Sequence, residues 1–287
     1  MQYLLLSILF SSFIFVIFKL YTRFKIETLY AIITNYVVAC IVGLLFYEGK
    51  VELSSIPQKN WFLGAMALGV LFILVFNIMA ATSQKLGVSV ASVATKMSFV
   101  LPAFLGVFLY NEYLGSVKII GIIIAVLAVY FVSVKRNSDV FKLSMLTLPF
   151  LVFLGSGAID TAIKFFQELY VPENEFALFS ATVFATAAVV GLIFILANSR
   201  RKPVKVNFRN IGGGILLGVP NFFSIYFLLK ALDYKGLSSA SIFTLNNVGI
   251  VMLSTFLGIL LFKEKLESRN WLGIGLAIIS ILLVAFS

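Results

Sequence analysis

Residues 85–99 read KLGVSVASVATKMSF, and residues 234–248 read YKGLSSASIFTLNNV. Laid on one offset, Gly87, Ser89, Ala91, Ser92 and Thr95 fall on Gly236, Ser238, Ala240, Ser241 and Thr244. After a slip of three residues, FLGVFLYNEYLGSVKIIGIIIAVLAV (104–129) falls on FLGILLFKEKLESRNWLGIGLAIISI (256–281). Glu112 then meets Glu264, Leu114 meets Leu266 and Gly121 meets Gly273. The likeness runs backwards too. Glu27 and Gly43 match Glu175 and Gly191, and Ser11 and Lys19 match Ser156 and Lys164. The chain is a tandem duplication with halves at 1–139 and 145–287.

Both copies are made of apolar runs. Of the 287 residues 61% are hydrophobic and 12% charged, against about 25% charged in soluble domains. That leaves too little polar surface to cover a globule in water, so the solvent is lipid. A span needs about 20 mostly apolar residues. Ten segments qualify, near 2–20, 28–47, 61–82, 88–110, 116–134, 145–168, 175–197, 211–232, 238–262 and 269–287. The run at 2–20 lacks the basic start and small-residue cleavage site of a signal peptide and has a counterpart in the second half, so it reads as the first span. Each half holds five spans. Two tandem copies with an odd number of spans enter the membrane from opposite faces. The expected fold is therefore all-α and integral to the cell membrane, with ten transmembrane helices as two inverted five-helix repeats around a central cavity.

Composition excludes several chemistries. There is no histidine and one cysteine, Cys40, which removes intramolecular disulfides, CxxC metal sites and the commonest general base. No cofactor and no metal are expected. The formal charge of +10 sits in short loops, where it meets lipid headgroups rather than nucleic acid. No GxxxxGK[ST] loop is present, so energy for transport would come from a gradient or an exchange.

In each half a small-residue run opens the fourth span, a Glu follows it, and a Gly-rich fifth span comes next: GVFLYNEYLGSVKIIG and GILLFKEKLESRNWLG. With the Lys of FVIFKLY and Pro102, this pattern resembles the EamA-type branch of the drug/metabolite transporter superfamily. The resemblance covers the chain twice. It implies a transporter fold and both termini in the cytoplasm, and leaves the substrate open among amino acids, sugars, nucleotide sugars and other metabolites. One departure is the Asp within GSGAIDTAIKFFQ.

A charge at mid-span costs about 2.5–3.5 kcal/mol on insertion scales, so it needs a partner, a wet cavity or a route to the interface. Asp160 and Lys164 lie one turn apart on one helical face. They form either a self-neutralising pair or part of a binding and coupling site. Lys96 and its repeat partners Asn246 and Asn247 sit at matching depth and are expected to approach one cavity. Asn221 follows Pro220, whose missing N–H frees a carbonyl. Tyr226 lies further along the same helix. Lys19 sits near the end of its span. These eight residues are the candidates for substrate binding or coupling. Glu112, Glu264, Pro102 and Pro220 are assigned to gating or structure, the two carboxylates fixing the short turn into the next span. Trp61 and Trp271 each open a span and read as interfacial anchors.

The expected function is secondary transport, in the export direction, of a small polar or amphipathic metabolite. The partners are the lipid bilayer, the substrate and a coupling proton, with a monomer expected and a homodimer as the alternative. Rival readings are a membrane enzyme on lipid-linked substrates and a non-transporting partner subunit. Lysine and arginine concentrate in the odd-numbered loops, which the positive-inside rule assigns to the cytoplasm. The family resemblance points the other way.

Overall fold

The computed structural model describes residues 2–47, 54–102, 115–133, 144–198, 207–232 and 239–285. It is all-α: α1 (Gln2–Arg23), α2 (Thr28–Leu45), α3 (Phe62–Leu86), α4 (Val88–Met97), α5 (Ser116–Ser133), α6 (Ser144–Leu169), α7 (Phe176–Asn198), α8 (Phe208–Leu232), α9 (Ser239–Phe262) and α10 (Ser268–Ala285), with single 3-10 turns at Ile56–Gln58 and Glu173–Glu175. Among the described residues nine helices are long and apolar enough to cross a membrane, and Val88–Pro102 is a shorter apolar helix. Lipid offers backbone groups no hydrogen bonds, so a spanning chain must satisfy them within helices. Large apolar side chains also cover the outside: Leu45 and Leu63 are each 77% exposed. The molecule is a multi-pass membrane protein.

The fourth span departs from expectation. It was expected to run unbroken over 88–110. Instead, helix gives way to a turn at Ser98–Phe99 and resumes briefly through Pro102. Pro102 is the cause. It has no N–H to give the Ser98 carbonyl, and Leu101 N donates to that carbonyl at 2.9 Å instead. At the other end α4 follows α3 with Gly87 alone between them. Gly87 has φ +120°, a conformation open to glycine and strained for other residues.

The helices pair across the two halves more than within them. Under the repeat, α1 to α5 correspond to α6 to α10. The most extensive cross-half packings have counterparts: α2 on α8 with α7 on α3, α1 on α8 with α6 on α3, and α1 on α9 with α6 on α4. The pairs α2–α7, α4–α9 and α5–α10 map onto themselves. The last is reciprocal to the residue. A Cβ at Gly121 would lie 2.5 Å from Val284 Cγ2, and one at Gly273 would lie 2.5 Å from Val132 N. Gly121 and Val132 are the repeat mates of Gly273 and Val284. Small residues here let backbones approach, the usual driving contact between helices in lipid.

Connectors sort onto two faces. On the first, Glu27 N donates to Asn210 Oδ1 (2.9 Å) and Lys19 Nζ to Gln84 O (2.8 Å), so the α1–α2 turn, the end of α3 and the start of α8 lie together. The α9–α10 connector joins them through Glu264 and the start of α4. On the second face Lys59 of the α2–α3 connector pairs with Glu175 before α7 at 2.6 Å. Trp61 belongs to this link rather than to the lipid interface. It is 1% exposed, and its indole N–H donates to Glu175 Oε2 at 2.7 Å. A buried indole needs such an acceptor. Trp271, 52% exposed, is placed as an interfacial anchor would be.

Candidate functional site

The break in α4 brings three polar side chains of the membrane interior together. Ser98 Oγ lies 3.0 Å from Asp160 Oδ2 on α6. Lys96, two residues before Ser98 on α4, is near enough for its charge to act on Asp160 without an ion-pair contact. Gly157, one turn before Asp160, makes the approach possible, since any Cβ there would strike the Leu101 side chain. Asp160 itself is exposed, not packed away among the helices.

Hydrogen-bond bookkeeping at Ser98 constrains the chemistry. Its hydroxyl has one proton but faces two acceptors, Asp160 Oδ2 at 3.0 Å and Thr95 O at 2.6 Å. With Asp160 ionised, Ser98 can serve one of them at a time. With Asp160 protonated, the carboxyl can donate to Ser98 Oγ while Ser98 donates to Thr95 O, so both contacts of the hydroxyl are served.

The other candidates take different places. Asp160 makes its side-chain hydrogen bond with Ser98, just past α4. Lys164 is half-buried. Asn246, 2% exposed, has a side-chain oxygen without a donor among the described residues, and Asn247 beside it is half-buried. Asn221 Nδ2 donates to Asn35 Oδ1 at 3.2 Å, an α8–α2 link within which Pro220 sits in unbroken helix. Tyr226 belongs to an aromatic group, its ring 5.0 Å from Phe46, with Lys230 Nζ 6.0 Å from the ring centre. Lys19 holds the last turn of α3 through Gln84 O.

Glu264 does something that the reading of its own turn does not contain. Its carboxylate crosses to the start of α4 and accepts from Val88 N (2.6 Å), Ser89 N (3.4 Å) and Ser89 Oγ (3.0 Å). Free N–H groups and the positive end of the helix dipole favour an anion there. Gly87 and Gly258 flank the carboxylate, leaving no room for a side chain. The Glu of the second half thus caps the helix that the small-residue run of the first half opens. Glu112, its repeat mate, lies outside the described residues.

The chain resembles known proteins in both sequence and fold. The sequence model of the EamA-like transporter family matches residues 1–134 and 143–286. An uncharacterised protein from Haemophilus influenzae is 29% identical over 280 residues, covering 96% of this chain and 94% of its own. A crystal structure sharing 14% identity superposes over 97% of this chain and 96% of its own with a TM-score of 0.56. That likeness concerns the fold alone.

Proposed function

Because the chain belongs to the EamA-like transporter family, we propose that it exports a small metabolite bearing a carboxylate or phosphate, with Lys96 binding the anionic group and Asp160 carrying a coupling proton. The protein is a secondary transporter in the membrane and not an enzyme. The halves 1–139 and 145–287 act as inverted repeats, related by a two-fold axis in the membrane plane, which expose one midplane site to each side in turn. The reciprocal α5–α10 contact supports this symmetry, since a pair that maps onto itself is what a two-fold axis produces. The transporting unit is a monomer, because both repeats lie in one chain.

The observation that carries the reading is the meeting of Ser98, beside Lys96 in the first half, with Asp160 of the second half, which sets a cation and a carboxylate of the two halves near one another within the spans. Its test is metabolite profiling of medium and cytosol from cells producing the native protein or Asp160→Asn at matched membrane levels. An anionic metabolite should move to the medium with the native protein alone. An equal shift from both proteins would remove Asp160 from the mechanism, and a shifted cation would overturn the substrate class.

A further inference from the structure

Where the α1–α2 turn meets the start of α8, the surface holds a cleft of about 610 Å³ that contains none of the residues above. Three of its lining residues are cations: Arg23, Lys25 and Arg209. None of its lining residues is a carboxylate, and among the described residues none of the three cations forms an ion pair. Phe24 and Leu216 supply apolar walls, 56% and 55% exposed. Gly212 opens the floor, since a Cβ there would meet nothing within 4 Å.

We propose that this cleft seats the headgroup phosphate of an anionic phospholipid. It lies at the ends of three membrane helices, which is where a headgroup would stand. Arginine offers a planar fork of donors that fits a phosphate through two bonds. A soluble anion would need the cations but would have no use for exposed phenylalanine and leucine beside them. A lipid uses both. The bound lipid joins the first half to the second, because Arg23 and Lys25 come from α1 and its turn while Arg209 comes from α8.

The experiment is native mass spectrometry of the full chain in detergent with added phosphatidylglycerol or phosphatidylcholine. The native protein should retain one phosphatidylglycerol in preference to phosphatidylcholine. Arg23→Gln with Arg209→Gln should weaken retention about thirtyfold, from about 1 kcal/mol per cation near a membrane surface at 1.4 kcal/mol per tenfold. Lys265→Gln with Arg269→Gln, exposed cations of the same face outside the cleft, should change it less than threefold. Equal losses from the two pairs would mean diffuse charge and overturn the site. So would equal retention of phosphatidylcholine. Displacement by equimolar glycerol 3-phosphate would show a site for soluble phosphate and overturn the lipid assignment.

Discussion

Removing the Glu264 carboxylate will unfasten the start of α4. Its bond from Val88 N, 2.6 Å long, has an ionised acceptor, and such bonds contribute about 1.5–3 kcal/mol. The Ser89 hydroxyl at 3.0 Å adds about 1 kcal/mol, and the helix dipole about 0.3–1 kcal/mol. Glu264→Ala should therefore destabilise by about 3–5 kcal/mol. Glu264→Gln keeps one acceptor oxygen for Val88 and loses the charge, which should cost about 1–2 kcal/mol. At roughly 2 °C per kcal/mol for a chain of this length, the alanine variant should melt about 6–10 °C lower in detergent and the glutamine variant about 2–4 °C lower. A double-mutant cycle with Ser89→Ala isolates the contact. It should give a coupling of about 1 kcal/mol. Additive effects in that cycle, or equal melting of the Ala and Gln variants, would refute the cap. Lys96 and Ser98 are carried on the helix so held, so Glu264→Ala should also slow transport.

Gly157→Ala should cost about 1–3 kcal/mol by overpacking, and Leu101→Ala should restore part of it in thermal melts, the Leu101 Cβ itself standing 2.7 Å from the added one; no rescue would mean that the α4–α6 approach is not the obstacle. Ser98→Ala leaves Asp160 without its hydroxyl partner and should flatten the pH dependence of efflux, whereas an unchanged profile would take Ser98 out of the proton path. On the second face, the Lys59 hydrogen bond and then the Trp61 indole hold the Glu175 carboxyl below its ordinary range. Stability from a depressed carboxyl is present above the unfolded-state value and lost as pH falls through the folded one. The advantage of the native protein over Lys59→Met, about 1 kcal/mol at pH 7, should therefore vanish below about pH 4; a constant gap would show that the charge is not its source. In a Cys40→Ser background, cysteines at Phe208 and Gln58 should be labelled from opposite sides of the membrane, the Phe208 side being cytoplasmic by its excess of cations. Labelling from one side would break the two-face arrangement.

The spans were legible because lipid demands long apolar helices, whatever packs against them. The likeness of the two halves was legible because Gly121 and Gly273 stand at matching places in the sequence, and each takes a close approach from the other's helix. What escaped were relations between distant segments. Asp160 has Lys164 as its neighbour in sequence, but its hydrogen bond with Ser98 spans 62 residues. Pro102 was visible, yet its effect is felt at Ser98, four residues back, where no pattern marks a turn. Glu264 was read against its own loop because a cap supplied from 176 residues away leaves no local trace. Trp61 looked like an anchor because position in a span does not say whether a carboxylate stands opposite.

The packing of each half on the other governs how the chain must be made. Ser7 of α1 donates to Ser224 of α8, 217 residues later, and Asn35 of α2 meets Asn221 across 186 residues. At about 5–20 residues per second on the ribosome, α1 and α2 wait about 10–40 s in the bilayer before their partners emerge. Through that interval the first five spans show lipid the small-residue faces and side-chain amides meant for the second five. A truncated first half should therefore be cleared by membrane proteases, and supplying residues 145–287 as a separate chain in the same cell should protect it.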